Sequence, residues 1–262
     1  MRRALLLLLA LSASAQESAV LGGWALPEGT VVQSTMSLET VGTLSEGGVA
    51  VAFEEGFVEV HETRLDVVED GRLMRAVQRL RSSSSKVRFD GVPAPTHPDP
   101  LLGRAVSIER VDNGWVQRAA GWLPTSEQQA ALDESISLDD SEYPVHAIRV
   151  GETVEVDQET IRETYVDVAP GEHLLTVRLD SLGTVDGAPV AYITQEVGVT
   201  LLFDGGTMRM DMTARIVRRL DWMIDAETEW SGPIRYAFDD GVSMEGTMRY
   251  SGAQTVRLPA DP

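Results

Sequence analysis

The stretch GTMRMDMTARIVRRLDW, residues 206–222, decides how this chain is read. Met208, Met210, Met212, Ala214, Ile216, Leu220 and Trp222 share one parity, and Arg209, Asp211, Arg215, Arg219 and Asp221 share the other. Only Arg218 breaks the apolar series. A period of two over this length means a strand with one buried face, because successive side chains point to opposite sides of a sheet. Sixteen extended residues would span about 53 Å, whereas most strands stop near ten residues. Such a strand must curve, bend at a bulge or run past its partners, as strands do in barrels and half-barrels. Held in register, Arg218 needs a carboxylate or a place at the rim; otherwise a bulge at 217–219 explains it.

The same period extends outward. Leu175, Val177, Leu179 and Val185 share a parity, as do Ala191, Ile193, Val197, Val199, Leu201 and Phe203. Trp230, Ile234, Tyr236 and Phe238 continue it, and Val242, Met244, Met248 and Tyr250 close it. Between segments stand Asp70-Gly71, Asp90-Gly91, Asn113-Gly114, Asp186-Gly187, Asp204-Gly205 and Asp240-Gly241. Asp-Gly and Asn-Gly suit type I′ hairpins, whose central residues need positive φ. Short connections between alternating strands predict an antiparallel meander.

The N-terminal half repeats the theme. Val32, Met36, Leu38 and Leu44 alternate with polar neighbours; Val49, Val51 and Phe53 follow, and Glu54-Glu55-Gly56 predicts a bulge or turn. Residues 73–81, LMRAVQRLR, fit helix or strand, and PAPTHPDP at 93–100 reads as an irregular loop. One helix is expected around 126–137: Thr125 or Ser126 can cap SEQQAALDESI, with Gln128 or Gln129 completing a capping box. It separates a front half, about 28–119, from a back half, about 145–258, with no sequence repeat relating them.

The chain opens MRRALLLLLALSASA, which has the basic start, short apolar run and A-x-A site of a signal peptide, residues 1–15. Its apolar run is too short to span a bilayer, which takes about 20 residues. No cysteine follows to carry a lipid. The expectation is a bacterial protein, exported to the periplasm or beyond, whose residues 16–262 form a single β-rich domain without a transmembrane segment after signal removal. Cysteine is absent, so packing alone stabilises it, and thiol catalysis and zinc–thiolate sites are excluded. The formal charge is −19, or −21 once Arg2 and Arg3 are removed, which repels nucleic acid and anionic membranes. Lys86 is the only lysine.

Motifs of catalysis are missing. His61, His97, His146 and His173 stand apart, and HETRL at 61–65 lacks the second histidine of a zincin. Ser45 in TLSEGG lacks the glycine two residues before it that a nucleophile elbow requires. Ser83-x-x-Lys86 falls in a serine run without companion motifs. Asp139-Asp140-Glu142 and Asp239-Asp240 lack calcium-loop spacing. No cofactor is implied. A carboxylate-dependent hydrolase stays as the least favoured reading and requires a cleft carboxylate with a raised pKa.

Met208, Met210 and Met212 lie about 6–7 Å apart in succession on one strand face. Thioethers suit Cu(I), but the same parity runs on into ordinary apolar residues. The remaining readings are packed core and an apolar ligand cavity, for both of which methionine is adaptable filler. The candidate ligand-binding residues are therefore Met208, Met210, Met212, Trp222, Trp230, Tyr236, Met244 and Met248.

The segments DPLLGRAVSIERVDNGW (99–115) and HAIRVGETVEV (146–156) resemble motifs of uncharacterised exported bacterial β-rich domains. Leu102-Gly103 and Gly151-Glu152-Thr153 stand at the motif positions, and Val154 replaces the usual tryptophan. More loosely, the layout is similar to the LolA/LppX half-barrels, a resemblance that implies a curved sheet with a helical lid and a lipid-like ligand. The resulting expectation is a mainly β fold, a curved antiparallel sheet or half-barrel. It would be a non-enzymatic protein whose partner is an apolar small molecule or an envelope protein. The alternative is a structural or assembly factor of the envelope acting through its surface. An outer-membrane barrel fits less well, since aromatics are 6% of residues and form no girdle at strand ends.

Overall fold

The computed structural model describes residues 17–23, 25–111, 114–134, 136, 143–144, 146–165, 167–203 and 205–259. The signal-peptide reading, Asn113, Asp204 and the Asp139-Asp140-Glu142 cluster lie outside these residues. The elements in chain order are β1 (Ser18–Ala19), β2 (Val31–Glu46), β3 (Val49–Glu69), β4 (Arg72–Phe89), β5 (Val92–Pro93), β6 (Ala105–Val111), β7 (Gly114–Ala119) and α1 (Ser126–Leu132). They continue with β8 (Ile148–Arg149), β9 (Thr153–Glu155), α2 (Gln158–Thr164), β10 (Leu174–Val185), β11 (Ala188–Phe203), β12 (Gly206–Arg219), β13 (Ile224–Phe238) and β14 (Ser243–Arg257).

One open antiparallel sheet takes almost all of them, in the order β7-β6-β4-β3-β2-β14-β13-β12-β11-β10-β9, with β5 appended to β4. The two expected meanders join where β14 pairs β2, from Val31 opposite Arg257 to Ser45 opposite Ser243. β1 pairs only with β8. Asp70-Gly71, Asp90-Gly91 and Asp186-Gly187 all have positive φ at both residues, as type I′ turns require. At 238–242 only Gly241 has positive φ, and the loop closes instead through Gly241 N–H to the Phe238 carbonyl.

Ladder register places same-parity residues on one face. Across β11, β12, β13, β14, β2 and β3 one row reads Gln195, Ala214, Trp230, Tyr250, Leu38 and Phe57. Four residues along, another reads Val199, Met210, Ile234, Gly246, Gly42 and Phe53. The opposite face carries ion pairs along single strands, Arg209 with Asp211 and Arg219 with Asp221 among them.

The sheet curls around its apolar face. β4 and β13 are four strand positions apart, about 19 Å in a flat sheet. Yet Leu65 of β3 and Leu73 of β4 share a core cluster with Ile224 of β13, and Gln78 and Thr228 line one cavity. Glycines on the inner face relieve the crowding this bending creates. Gly42 and Gly246 stand opposite each other at the β2–β14 seam. A Cβ on Gly42 would meet the Glu245 carbonyl oxygen at 2.5 Å, and one on Gly246 would meet that of Val41 at 2.5 Å. On β13, Gly232 lies against the Asp211 carbonyl in the same way.

Several expectations are corrected. Glu54-Glu55-Gly56 forms no bulge: β3 runs through it in register, because Gly56 makes room for the Lys86 side chain above it. The irregularities of β3 lie at Val60/His61 and between Leu65 and Val68. Residues 73–81 are strand, within β4. β12 ends at Arg219, and Leu220 to Met223 form a turn with Met223 at φ 54°. The capping box of α1 is Thr125 with Gln128, and the helix stops at Leu132, one turn short of the expected end. The second helix, α2, was not anticipated. Asp157 caps it by accepting from the Glu159 and Thr160 amides at 3.0 and 2.9 Å.

The main core joins Leu175, Val177, Leu179, Ile193, Val197, Val199, Ile216 and Ile234 of the sheet to Leu21, Ile148 and Ile161. The segment before β2, the β8 region and α2 thus cover the back-half part of the inner face. The front half stays more open.

Candidate functional site

β12 places Met208, Met210 and Met212 on the inner face, and its neighbours bring up Tyr236 opposite Met208 and Met244 opposite Tyr236. Met248 lies opposite Gly232, and Trp230 between Ala214 and Tyr250. Met210, Met212 and Met244 are core residues, 9%, 4% and 4% exposed. Met208, Trp230, Tyr236 and Met248 are half-buried at the margin of that core. Trp222 is not among them. The turn after Arg219 carries it into a second cluster with Leu26, Leu65, Leu73 and Ile224, where the Arg219 guanidinium stacks on its ring at 3.9 Å.

The half-buried surface runs the length of the curve. All five phenylalanines of the chain, Phe53, Phe57, Phe89, Phe203 and Phe238, project from this face by register. Four of them gather near one end, where Phe53 meets Phe89 at 5.5 Å and Phe203 meets Tyr236 and Phe238 at 5.8 and 5.5 Å. Burial raises the Tyr236 pKa, with a smaller push from the Glu55 charge across the curve.

At the other end the curl forms an open-sided cavity of about 280 Å³. Its walls include Met36, Leu65, Leu73, Met223 and Ile224, with Ser34, Thr63, Gln78, Thr228, Tyr250 and Gln254 supplying polar groups. None of the eight residues singled out from the sequence lines it. Tyr250 connects the two regions, since it lines the cavity and stands between Trp230 and Leu38 in the sheet. Its ring folds over Gly252, where a Cβ would meet the hydroxyl at 3.0 Å. Burial raises the Tyr250 pKa, and the Asp225 carboxylate adds to the rise.

The cavity floor is charged but neutralised. Arg218, 2% exposed, donates from Nη1 to Asp225 Oδ1 at 2.7 Å and from Nε to the Leu21 carbonyl at 2.7 Å. The Tyr143 hydroxyl donates to Asp225 Oδ2 at 2.8 Å, and the guanidinium lies 4.0 Å from the Tyr143 ring centre. β12 keeps register with β11 through Arg218, while Ala226 of β13 is skipped, so that Arg218 pairs with Asp225. The first sequence-based alternative therefore holds, a carboxylate partner with β12 in register with β11; the extra residue lies on β13, at Ala226, and not at 217–219. Beside the floor, His61 shares a hydrogen bond with Glu59 at 3.0 Å, and Ser83 donates to the same carboxylate at 3.1 Å.

Sequence reasoning missed these cavity residues. Their only local signal is polar residues on the apolar parity: Ser34 beside Met36, and Glu59, His61 and Thr63 in line with Phe53 and Phe57. Among the described residues, no group of three or more His, Asp or Glu is placed to hold a metal ion. The carboxylates with resolved pKa shifts, Glu39, Asp157 and Asp221, are all lowered by cations or hydrogen bonds. The hydrolase reading required a raised one. Gly103 and Gly151 both occupy left-handed turns, and Val154 pairs with Val177 in the sheet.

No family model matches the chain, and no curated protein does. Among solved structures the chain is similar to lipovitellin, in a structure concerned with lipid–protein interactions, at 10% identity and a TM-score of 0.45. The match covers 90% of this chain but only 26% of lipovitellin. An outer-membrane channel from Pseudomonas putida matches at 7% identity and a TM-score of 0.32, over 89% of this chain and 97% of the channel. A DUF1329 family protein from Desulfovibrio piger matches at 10% identity and a TM-score of 0.20, over 90% and 88% of the two chains. These are distant likenesses between β-rich architectures. Among the described residues no helix is long and apolar enough to cross a membrane.

Proposed function

We propose that this protein is exported, performs no catalysis, and binds an apolar or lipid-like ligand along the inner face of its curved sheet. The observation that carries the reading is the half-buried apolar surface that continues from the cavity, past Tyr250, Trp230 and Met248, to the phenylalanine-rich end. Ligand pockets are concave and mostly apolar with a few polar groups, and this surface has that composition. Met208, Trp230, Tyr236 and Met248 make the contacts, and Met210, Met212 and Met244 form the wall behind them. The loose resemblance of the sequence layout to the LolA/LppX half-barrels fits the same use, and export rests on the signal-like residues 1–15.

The competing reading, an envelope assembly factor, calls for a contiguous exposed apolar patch or a long bare edge. The exposed Val41, Val58, Leu174 and Leu202 stand on four strands, β2, β3, β10 and β11, while Phe89 and Val92 are exposed as a neighbouring pair where β5 meets β4. The edge strands β9 and β7 are three and six residues long, and the bare stretches that they and β5 leave on β10 (180–185) and β4 (81–86) are short as well. The test is titration with laurate and methyl laurate below their aggregation thresholds, followed by Trp230 fluorescence in a variant lacking the other tryptophans. Saturable quenching or enhancement is expected. Absence of a saturable change with both ligands overturns the proposal.

A further inference from the structure

The cavity differs from the rest of the inner face in its hydrogen-bonding groups. The side chains of Ser34, Thr228, Tyr250 and Gln254 line it and make no hydrogen bond among the described residues. Gln78 donates its amide to Thr63 at 3.3 Å, which leaves its carbonyl oxygen for another partner. In the wall, His61 directs Nε2 at the Glu59 carboxylate, so that nitrogen carries the proton and donates. Its Nδ1 is buried without a partner among the described residues. Buried polar groups are nearly always satisfied, so the buried Nδ1 of His61 calls for a partner, and the half-buried polar side chains around the cavity offer donors and acceptors to the same ligand.

The charges of the lining point to the kind of ligand. Only Arg218 and Asp225 are charged there, and each is already engaged, with the other and with Leu21 or Tyr143. An anionic head would compete with Asp225 for the guanidinium and meet a strongly acidic chain. A cationic head would compete with Arg218 for a carboxylate that Tyr143 also occupies. Neutral donors and acceptors remain, so the matching ligand is neutral and hydroxylated. At about 280 Å³ the cavity is at the small end of ligand pockets and takes a small polar head rather than a whole lipid. A glycerol ester is a head of that kind. From Met36 to Leu44 the inner face continues about 26 Å at about 3.3 Å per residue, a length that takes an acyl chain.

We infer that the Tyr250–Gln254–Ser34 cavity is a head-group pocket for a neutral glyceride, whose acyl chain lies along the inner face. This rests on the apolar-ligand reading above and assigns the head that reading leaves open. Three ligands with one acyl chain separate the two ideas: monolauroylglycerol, methyl laurate and laurate, titrated by isothermal calorimetry and by NMR of the His61 ring nitrogens. Monolauroylglycerol should bind at least about tenfold more tightly than methyl laurate, as two net hydrogen bonds would give. Laurate should be the weakest. Tyr250→Phe keeps the ring and removes the hydroxyl, so it should reduce the preference for monolauroylglycerol over methyl laurate about fivefold. Gln254→Leu provides a second such variant. Equal binding of all three ligands, or a preference for laurate, overturns the head-group inference and leaves the apolar-ligand reading standing. Binding of none overturns both.

Discussion

Arg218 Nη1 lies 2.7 Å from Asp225 Oδ1, and this pair ties the ends of two adjacent strands to the segment that precedes the sheet. The guanidinium also holds the Leu21 carbonyl, and Asp225 also holds the Tyr143 hydroxyl. Arg218 is 2% exposed and Asp225 22%, so the pair is largely shielded from water. Removing one member of a buried pair strands the other, at a cost of about 3–5 kcal/mol. Arg218→Met should lower unfolding stability by about 3 kcal/mol in urea titration. Adding Asp225→Asn should recover part of the loss, since it removes the stranded charge. A double variant as unstable as the sum of both single variants would argue against coupling.

The bend at the β2–β14 seam makes a graded prediction about glycines. Gly246→Ala drives a methyl group to within 2.5 Å of the Val41 carbonyl oxygen, and backbone on both sides must move. Gly252→Ala, on the same strand and face, meets only the Tyr250 side chain, at 3.0 Å, which can swing away. Overpacking of the first kind costs about 1–3 kcal/mol. Gly246→Ala should therefore lower the melting temperature clearly more than Gly252→Ala does. Equal effects would mean that these glycines do not set the curvature.

Local features were legible in the sequence because local physics produces them. The parity of Met208 to Ile216 follows from the pleat, and positive φ at Asp70-Gly71 or Asp186-Gly187 follows from turn chemistry. The Thr125–Gln128 capping box is equally local. The cavity was not legible. It depends on β2 pairing β14, residues 198 to 226 positions apart, and on a curl that brings Gln78 towards Thr228. Trp222 was misplaced for a related reason. Its parity matches β12, but the strand ends at Arg219, and the turn from Leu220 to Met223, with Met223 at a left-handed φ, carries the tryptophan off the face. Gly56 looked like a break because a glycine between glutamates resembles a turn. Only the register of Glu39, Gly56 and Lys86 explains it as a gap bridged by a lysine.

That bridge has a pH signature. Lys86 Nζ reaches over Gly56 to Glu39 Oε1 at 3.0 Å. Hydrogen bonding to Lys86, then its charge, and more weakly the charge of Arg249, hold the Glu39 pKa below its ordinary value. A depressed carboxylate favours folding above its unfolded pKa, and that contribution is lost as pH falls through the folded value. NMR titration of the Glu39 carboxyl should thus show a low midpoint in the wild type. Lys86→Met should move it upward, towards that of an unpaired glutamate. Both groups are about half-exposed, so added salt should shrink the difference. A midpoint unmoved by Lys86→Met would show that the bridge is not formed in solution.

The two methionine environments should separate stability from binding. Met212 is 4% exposed within the main core, and truncating such a side chain costs about 2–5 kcal/mol through lost burial and the cavity left behind. Met248 is half-buried at the margin, opposite Gly232 and Thr40, and part of its surface stays exposed. Met212→Ala should therefore unfold at much lower urea, and its affinity for methyl laurate, measured under conditions where it remains folded, should change little. Met248→Ala should unfold close to the wild type and bind methyl laurate several-fold more weakly. If Met248→Ala is destabilised as much as Met212→Ala and binds normally, the margin of the methionine cluster is core as well. The ligand path would then have to run along the β2–β4 side of the curve, over Leu38 and Phe57.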